Sequence, residues 1–316
     1  MGKKNLTTLL ILSITLIIFP LVITNTYYIS IMVFVGIHGI IAIGLSLLMG
    51  YAGQISIGHA AFFGLGAYTS AVLTSKFGFH PWVAFLVGIL LSSVVAVIIG
   101  IPSLKLKGHY LAMATLGFGE ITYIVFNELT ELTGGPPGLG DIPRISIAGY
   151  MMNTDVKYYF FVWGFLLLIL VISLNLINSR IGRALRSIHG SEIAANAMGV
   201  DTSRLKTQIF VISAIFGSIA GSLYTHYVTF VSPSTFSLSF SILLVMMVVI
   251  GGMHSVWGAL IGAGLLTIMP EFLRALEDFE ILVYGAILLL IMIFLPKGLV
   301  GGLEHLFERL IGHPRR

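Results

Sequence analysis

Few side chains in this 316-residue chain could do chemistry, and those that could lie inside apolar surroundings. Gln54, Ser56 and His59 share the glycine-rich run "GYAGQISIGHAAFFGLGAY". Ser56 and His59 are three apart, so one helical face could carry both. A serine beside a histidine is the beginning of a nucleophilic site. Such a site also needs a third group to orient the imidazole and donors for an oxyanion, and this run supplies neither. Two readings stay open for the trio: lining of a pore, or hydrogen bonds between membrane helices. Thr115 and Glu120 lie in a later apolar run. An ionised carboxylate in mid-span costs about 2.5–3.5 kcal/mol on insertion scales, so Glu120 must face protein, water or a cation. A paired or protonated acid that holds helices together, and an acid that meets the ammonium group of a cargo, both satisfy that requirement. His38, His109 and His226 stand near or within apolar runs and read as packing or interface residues. With no cysteine in the chain, disulfides, thiolate catalysis and cysteine-ligated metals are excluded.

The elements that hold these residues must sit in a bilayer. The chain is 57% hydrophobic and 9% charged, with a mean hydropathy of +1.02. Soluble domains are about 25% charged, and so little charge cannot cover a globular surface. Apolar runs of spanning length are expected near 6–24, 29–49, 55–75, 81–101, 110–127, 158–177, 207–229, 239–252, 256–270 and 281–296. The fold class is therefore all-α integral membrane with about ten helices. The eighth and ninth runs are short and parted only by Gly252-Met253-His254-Ser255, so half-spans or a tight hairpin are both open. The first run, after Lys3-Lys4, is too long for a signal peptide and lacks a small-x-small cleavage site, so it reads as a retained span.

The basic residues orient this arrangement. With the N-terminus inside, thirteen of the 17 lysines and arginines fall on the inner side. Only Lys76, Arg144, Lys157 and Arg274 fall outside, as positive-inside topology requires. Both termini are then cytoplasmic, in a multi-pass protein of a bacterial or archaeal plasma (inner) membrane. Three regions are expected: an N-terminal helix (1–28), a main membrane-embedded body (29–300) and a basic cytoplasmic tail (301–316). An outer segment of about 128–157, with "LTGGPPGLGDIP" at its core, should be turn-rich. Two four-span sets of opposite orientation, each with a glycine-dense stretch, leave an internal inverted repeat open. The small residues Gly217, Ala220, Gly221 and Ser222 point to close helix contact in the bilayer.

One inner segment, about 178–206, is basic and helix-forming. In "RALRSIHGSEIAANAMGVDTSRLK", Ile181, Leu185 and Ile188 form an apolar stripe, and Arg183 and Arg186 share another face. Gly190 should end that helix. Ser191 should cap a second, with Glu192 at its positive end, and Gly199 should close it. Ala194, Ala195 and Ala197 leave room for close approach by another surface. A connector needs only a few residues. This one uses nearly thirty with caps, which favours docking over mere joining.

The same passage, followed by "FVISAIFGSIAGSLY", resembles the cytoplasmic coupling region of ABC-transporter permeases for branched-chain amino acids. "GYAGQISIGHAAFFGLGAY", "LKGHYLAMATLGFGEI", "LTGGPPGL", "GGMHSVWGALIGA" and "FLPKGL" follow in order and are similar to the M-type permease, the LivM family, over about residues 30–300. The chain departs from the family pattern at three places. His189-Gly190 replaces an arginine and an acidic residue, Met253-His254 a small residue and glycine, and Ala259 a common proline.

The resemblance implies one permease subunit of a type II-like importer. Its partners would be an H-type permease, two cytoplasmic ATP-binding subunits and an extracytoplasmic binding protein that delivers an amino acid; no nucleic acid is expected. It also implies that Arg183, Arg186, Glu192, Ala194, Ala195 and Gly199 meet the ATPase. The sequence agrees that the chain is not itself an ATPase and needs no cofactor of its own. It has no G-x-x-x-x-G-K-[ST] phosphate loop, so ATP would be bound by the partners. Related permeases move other amino acids, amides or urea, and an ion-driven secondary transporter would share the intramembrane acid. Such a transporter would have no use for the docking segment.

Overall fold

The computed structural model describes residues 3–147 and 150–273, together with 282, 283, 285, 286, 289, 293, 298, 299, 301 and 302. The expected tenth span and the C-terminal tail therefore lie almost wholly outside the described residues. Nine long helices account for the other nine runs: α1 (Lys3–Val22), α2 (Thr26–Ser46), α3 (His59–Ser75), α4 (Pro81–Ser103), α5 (His109–Glu128), α7 (Asp155–Asn178), α10 (Thr202–Val228), α11 (Leu238–Gly251) and α12 (Val256–Leu273). Among the described residues, six helical stretches are long and apolar enough to cross a membrane: α1, α2 with the π turn that continues it (Leu47–Tyr51), α4, α7, α10 and α12. The short helices are α6 (Thr130–Thr133), α8 (Arg180–Gly190) and α9 (Glu192–Ala197). A two-stranded antiparallel hairpin, β1 (Ser146–Ile147) with β2 (Tyr150–Met151), is a small exception to the all-helical expectation.

Three helices fall short of a free-standing span. α3 has 17 residues, because the chain from Gly53 to Gly58 is not helical; the third run was expected to be helical from residue 55. Gly53 has φ +68°, a left-handed conformation that stops the preceding π turn. α11 has 14 residues, about 21 Å at the helical rise of about 1.5 Å per residue, which is less than a hydrocarbon core. Its partner α12 returns against it after the turn at 252–255. A Cβ on Gly251 would lie 1.9 Å from the Gly258 carbonyl oxygen, and one on Gly262 would lie 1.9 Å from that of Met247. The eighth and ninth runs are thus a tight hairpin of helices. α5 has 20 residues, but Glu120 and its glycines keep it outside the apolar set.

α2 and α10 form the centre. α2 is buried over most of its length and packs on α7, α12 and α10, while α10 packs along α3 and α4. The small residues of α10 serve this packing. A Cβ on Gly221 would lie 1.9 Å from the Phe63 carbonyl oxygen, and Gly217 sits against Phe62. Ala220 and Ser222 are also buried. The close contact expected from Gly217, Ala220, Gly221 and Ser222 is therefore made within this chain, to α3, and not to a second protein.

The two ends of the bundle differ in charge. At one end Lys76 donates to the Glu131 carbonyl and Arg144 to that of Asn153, and Trp82 donates to Ser146. That end holds the "GGPPG" turns, where Leu139 and Val231 exchange backbone hydrogen bonds of 2.8 and 2.9 Å. At the other end Lys107, Arg183, Arg186 and Lys206 gather round α8 and α9.

Candidate functional site

Residues 53–59 bring one group of sequence-selected side chains together. His59 begins α3 and is 1% exposed. Its Nδ1 lies 2.9 Å from Ser56 Oγ and its Nε2 lies 2.6 Å from Ser213 Oγ on α10. Ser56 is not on the helix with His59, as the spacing suggested; it reaches the ring from the extended segment before the helix. Thr115 joins the group from α5. Its Oγ1 accepts from the Ile57 backbone N–H at 3.1 Å, and a Cβ on Gly58 would lie 2.0 Å from the Thr115 carbonyl oxygen. Gln54 is buried nearby and donates to the Ala52 carbonyl at 2.9 Å.

Both nitrogens of His59 are satisfied, and Phe62 and Phe210 pack edge-on against its ring. The second nitrogen meets a serine rather than a carboxylate, inside the packed bundle, so nucleophilic chemistry has neither an orienting acid nor access. Of the two readings, hydrogen bonding between helices describes His59. His38 and His226 are each held through one nitrogen, with Nδ1 at 2.8 Å from Thr267 Oγ1 and at 2.7 Å from the Pro143 carbonyl oxygen, respectively, while Nε2 of His226 is buried without a partner among the described residues. Glu120 stands apart from the cluster. It lies partly exposed on α5, and both ion pairs among the described residues are made by a different acid, Glu192.

The second group is the segment from Ser179 to Lys206. Ser179 caps α8 by accepting from the Ile181 and Gly182 N–H groups at 3.1 and 3.4 Å. Leu185 and Ile188 are buried against the bundle, whereas Ile181, expected on the same stripe, is 43% exposed. Arg183 and Arg186 donate to the Asn178 and Ile177 carbonyls at 3.4 and 3.0 Å. There they cap the last turn of α7, where the helix dipole favours a cation. Gly190 ends α8. Ser191 accepts from the Ala194 N–H at 3.3 Å, and Gly199 takes φ +80° after α9.

Glu192 anchors this segment. It lies 2.7 Å from Lys206 and 3.7 Å from Lys107, and Thr202 Oγ1 stands 3.4 Å away. Burial alone would raise its carboxyl pKa. The Lys206 hydrogen bond and charge, with Lys107 and Thr202, outweigh burial and hold it below the usual carboxylate range. Lys206 is itself buried and also donates to the Leu104 carbonyl at 2.8 Å.

The alanines do not share one surface. Ala195 is 3% exposed and faces its own chain, so it cannot enter a groove on another protein, while Ala194 and Ala197 are exposed. The outward side carries Ile193 and Met198, which sequence reasoning passed over; they are 76% and 85% exposed. Both are large apolar side chains on an otherwise charged, capped segment. Their hydropathy, set among alanines, was the available signal.

A capped, ion-paired helix pair on the basic end of a polytopic helical bundle is the architecture of a membrane transport subunit. The chain belongs to the family of branched-chain amino acid transport system permease components, whose family model matches residues 27–295. It is similar to the high-affinity branched-chain amino acid transport system permease protein LivM of Salmonella typhimurium, with 34% identity over 84% of this chain and 68% of that one. The LivM protein of Escherichia coli K12 is 33% identical over the same shares. The LivH permease of that organism is more distant, at 23% identity over 84% of this chain and 91% of its own length. No solved structure matches the chain.

Proposed function

We propose that this chain is a permease subunit of an ATP-driven importer that moves leucine, isoleucine, valine or related small amino acids into the cytoplasm. It does so with an H-type permease, two ATP-binding subunits and an external binding protein. The observation that carries the reading is the α8–α9 segment. It is clamped by Glu192 to Lys206 and Lys107, yet turns Ile193 and Met198 outward at the basic end of the bundle.

That end is cytoplasmic in this reading, by the positive-inside bias, and the segment of about 178–206 is where the ATPases dock. Arg183, Arg186 and Gly199 shape the segment, and Ile193, Ala194, Ala197 and Met198 make the contact. Gln54, Ser56, His59 and Thr115 act as a packed seam beside the pathway rather than as its wall. Glu120, on the outward face of α5 near Gly117, suits a protein or aqueous neighbour better than lipid. The second permease is therefore expected against α5, since the small face of α10 is already filled.

The test is reconstitution of the chain with its co-encoded partners in liposomes. Uptake of leucine, isoleucine or valine should require ATP, the ATPases and the binding protein together. Uptake driven by an ion gradient without the ATPases would overturn the proposal. Uptake of another amino acid, an amide or urea in place of these would overturn the substrate alone.

A further inference from the structure

The basic end holds a contact that neither the clamp nor the docking face uses. His189, at the end of α8, and His254, in the turn between α11 and α12, meet edge to face with ring centroids 5.0 Å apart and planes at 86°. Each ring is fixed to the same stretch of chain. His254 Nδ1 lies 2.9 Å from the Gly50 carbonyl oxygen in the π turn after α2. His189 presses on Gly53, where an added Cβ would lie 2.9 Å from its Nδ1. Ser46 at the end of α2 donates to the Met253 carbonyl at 3.2 Å, and a Cβ on Gly50 would fall 1.7 Å from that same oxygen. The docking segment, the π turn and the α11–α12 turn thus touch at one point, with backbone against backbone and no slack.

We infer that His189 and His254 are a positioning pair for transport: the joint through which motion of the α8–α9 segment is passed to the π turn and the α11–α12 hairpin. The inference rests on the docking role proposed above. Both rings lie at the surface, but the backbone they bridge is closely packed, Gly50 on Met253 and Gly53 on His189, and closely packed parts must move together. It also makes the coupling sensitive to cytoplasmic pH. The groups around the pair are Arg186 and Glu192 on the α8–α9 segment, Lys107 in the loop before α5, and Tyr51 in the π turn. Glu192 is already engaged by Lys206 and Lys107. A proton on His189 therefore adds positive charge beside His254, Lys107 and Arg186 with no free acid among the described residues to receive it. Burial first, and His254 second, hold the His189 ring below the usual histidine range. The His189 ring is therefore neutral at neutral pH, and the charge it gains as the pH falls through that lowered value pushes the joint apart.

The test uses the complete transporter in liposomes, with ATP hydrolysis and uptake measured together between about pH 8 and about pH 5.5, which brackets histidine titration. His189→Gln, His254→Gln and the double substitution are compared. The His189 site is exposed, so that variant tests the joint even if the loss of the Gly50 bond unsettles the His254 variants. Each single change should lower uptake per ATP roughly two- to thirtyfold, the span of couplings measured along such networks. The double should be no worse than the poorer single, and the fall in coupling on acidification should flatten. Wild-type uptake per ATP in His189→Gln, or an unchanged pH profile, overturns the joint. The docking reading fails separately, if Asp at both Ile193 and Met198 leaves ATPase binding intact.

Discussion

Replacing Glu192 by glutamine tests the clamp that holds the docking segment. The change keeps shape and a hydrogen-bonding oxygen but removes the charge that faces Lys206 at 2.7 Å. Removing one partner of a fully buried ion pair costs about 3–5 kcal/mol. Here the carboxylate is 22% exposed, and Lys206 retains the Leu104 carbonyl at 2.8 Å. The loss falls accordingly to the worth of a charge-assisted hydrogen bond, about 1.5–3 kcal/mol. Lys206→Met in the same background should recover most of it, because a buried cation without its partner is what destabilises the single variant.

The assay is thermal unfolding of the purified permease, with ATPase co-purification in parallel. Glu192→Gln should unfold at lower temperature and hold the ATPase less well, and the Glu192→Gln, Lys206→Met pair should be closer to wild type. An additive double variant, or a Glu192→Gln protein as stable as its parent, would refute the clamp. The pH dependence has a definite sign. The folded carboxyl titrates below its ordinary value of 4.5, so the clamp is fully present above that value and is lost only as pH falls through the lowered one.

Three further outcomes are expected. Asp at Ile193 and Met198 should abolish ATPase co-purification and leave the unfolding midpoint nearly unchanged, since exposed substitutions shift stability by about 0.5 kcal/mol or less. Ala195→Arg should act differently, destabilising the permease by about 1–3 kcal/mol through overpacking of a buried site; normal stability with lost docking would contradict its burial. Single cysteines introduced at Arg183 and Pro136 of this cysteine-free chain should label from opposite sides of intact cells, and labelling from one side would remove the proposed topology.

The parts of the site that were legible in the sequence are those set by neighbours in the chain. Ser191 and Gly199 declare their roles locally, because a capping hydroxyl and a left-handed glycine answer to the backbone next to them. The outward face of α9 was not legible. Six residues make less than two turns, too short for a period to say that Ala195 turns in while Ile193 and Met198 turn out. Ser56 is a related case: its spacing from His59 suits one helical face, but the helix begins only at His59 and the preceding residues are not helical. Partners far apart in sequence were out of reach altogether. Nothing local pairs Lys206 with Glu192, or Ser213 with His59, and each meeting depends on how α10 docks.

Polar residues in this chain divide by what the bilayer would otherwise charge them. His59, Ser56, Ser213 and Thr115 are inside, and each has a partner on another element or at a chain break, because an unpaired polar group in hydrocarbon is expensive. The glycines that let those elements meet, such as Gly58 against Thr115, are spent within the subunit. A few buried polar groups, such as the Tyr68 hydroxyl and His226 Nε2, have no partner among the described residues; what remains unsatisfied on the surface is of two kinds. At the basic end it is apolar, Ile193 and Met198, exposed where water surrounds them. On α5 it is acidic, the partly exposed Glu120, set among the exposed apolar side chains of Met113, Ile121 and Ile124. An apolar patch in water and a carboxylate in a membrane are opposite errors for a solitary protein. In the assembly proposed above, the soluble ATPases cover the first and the second permease covers the second.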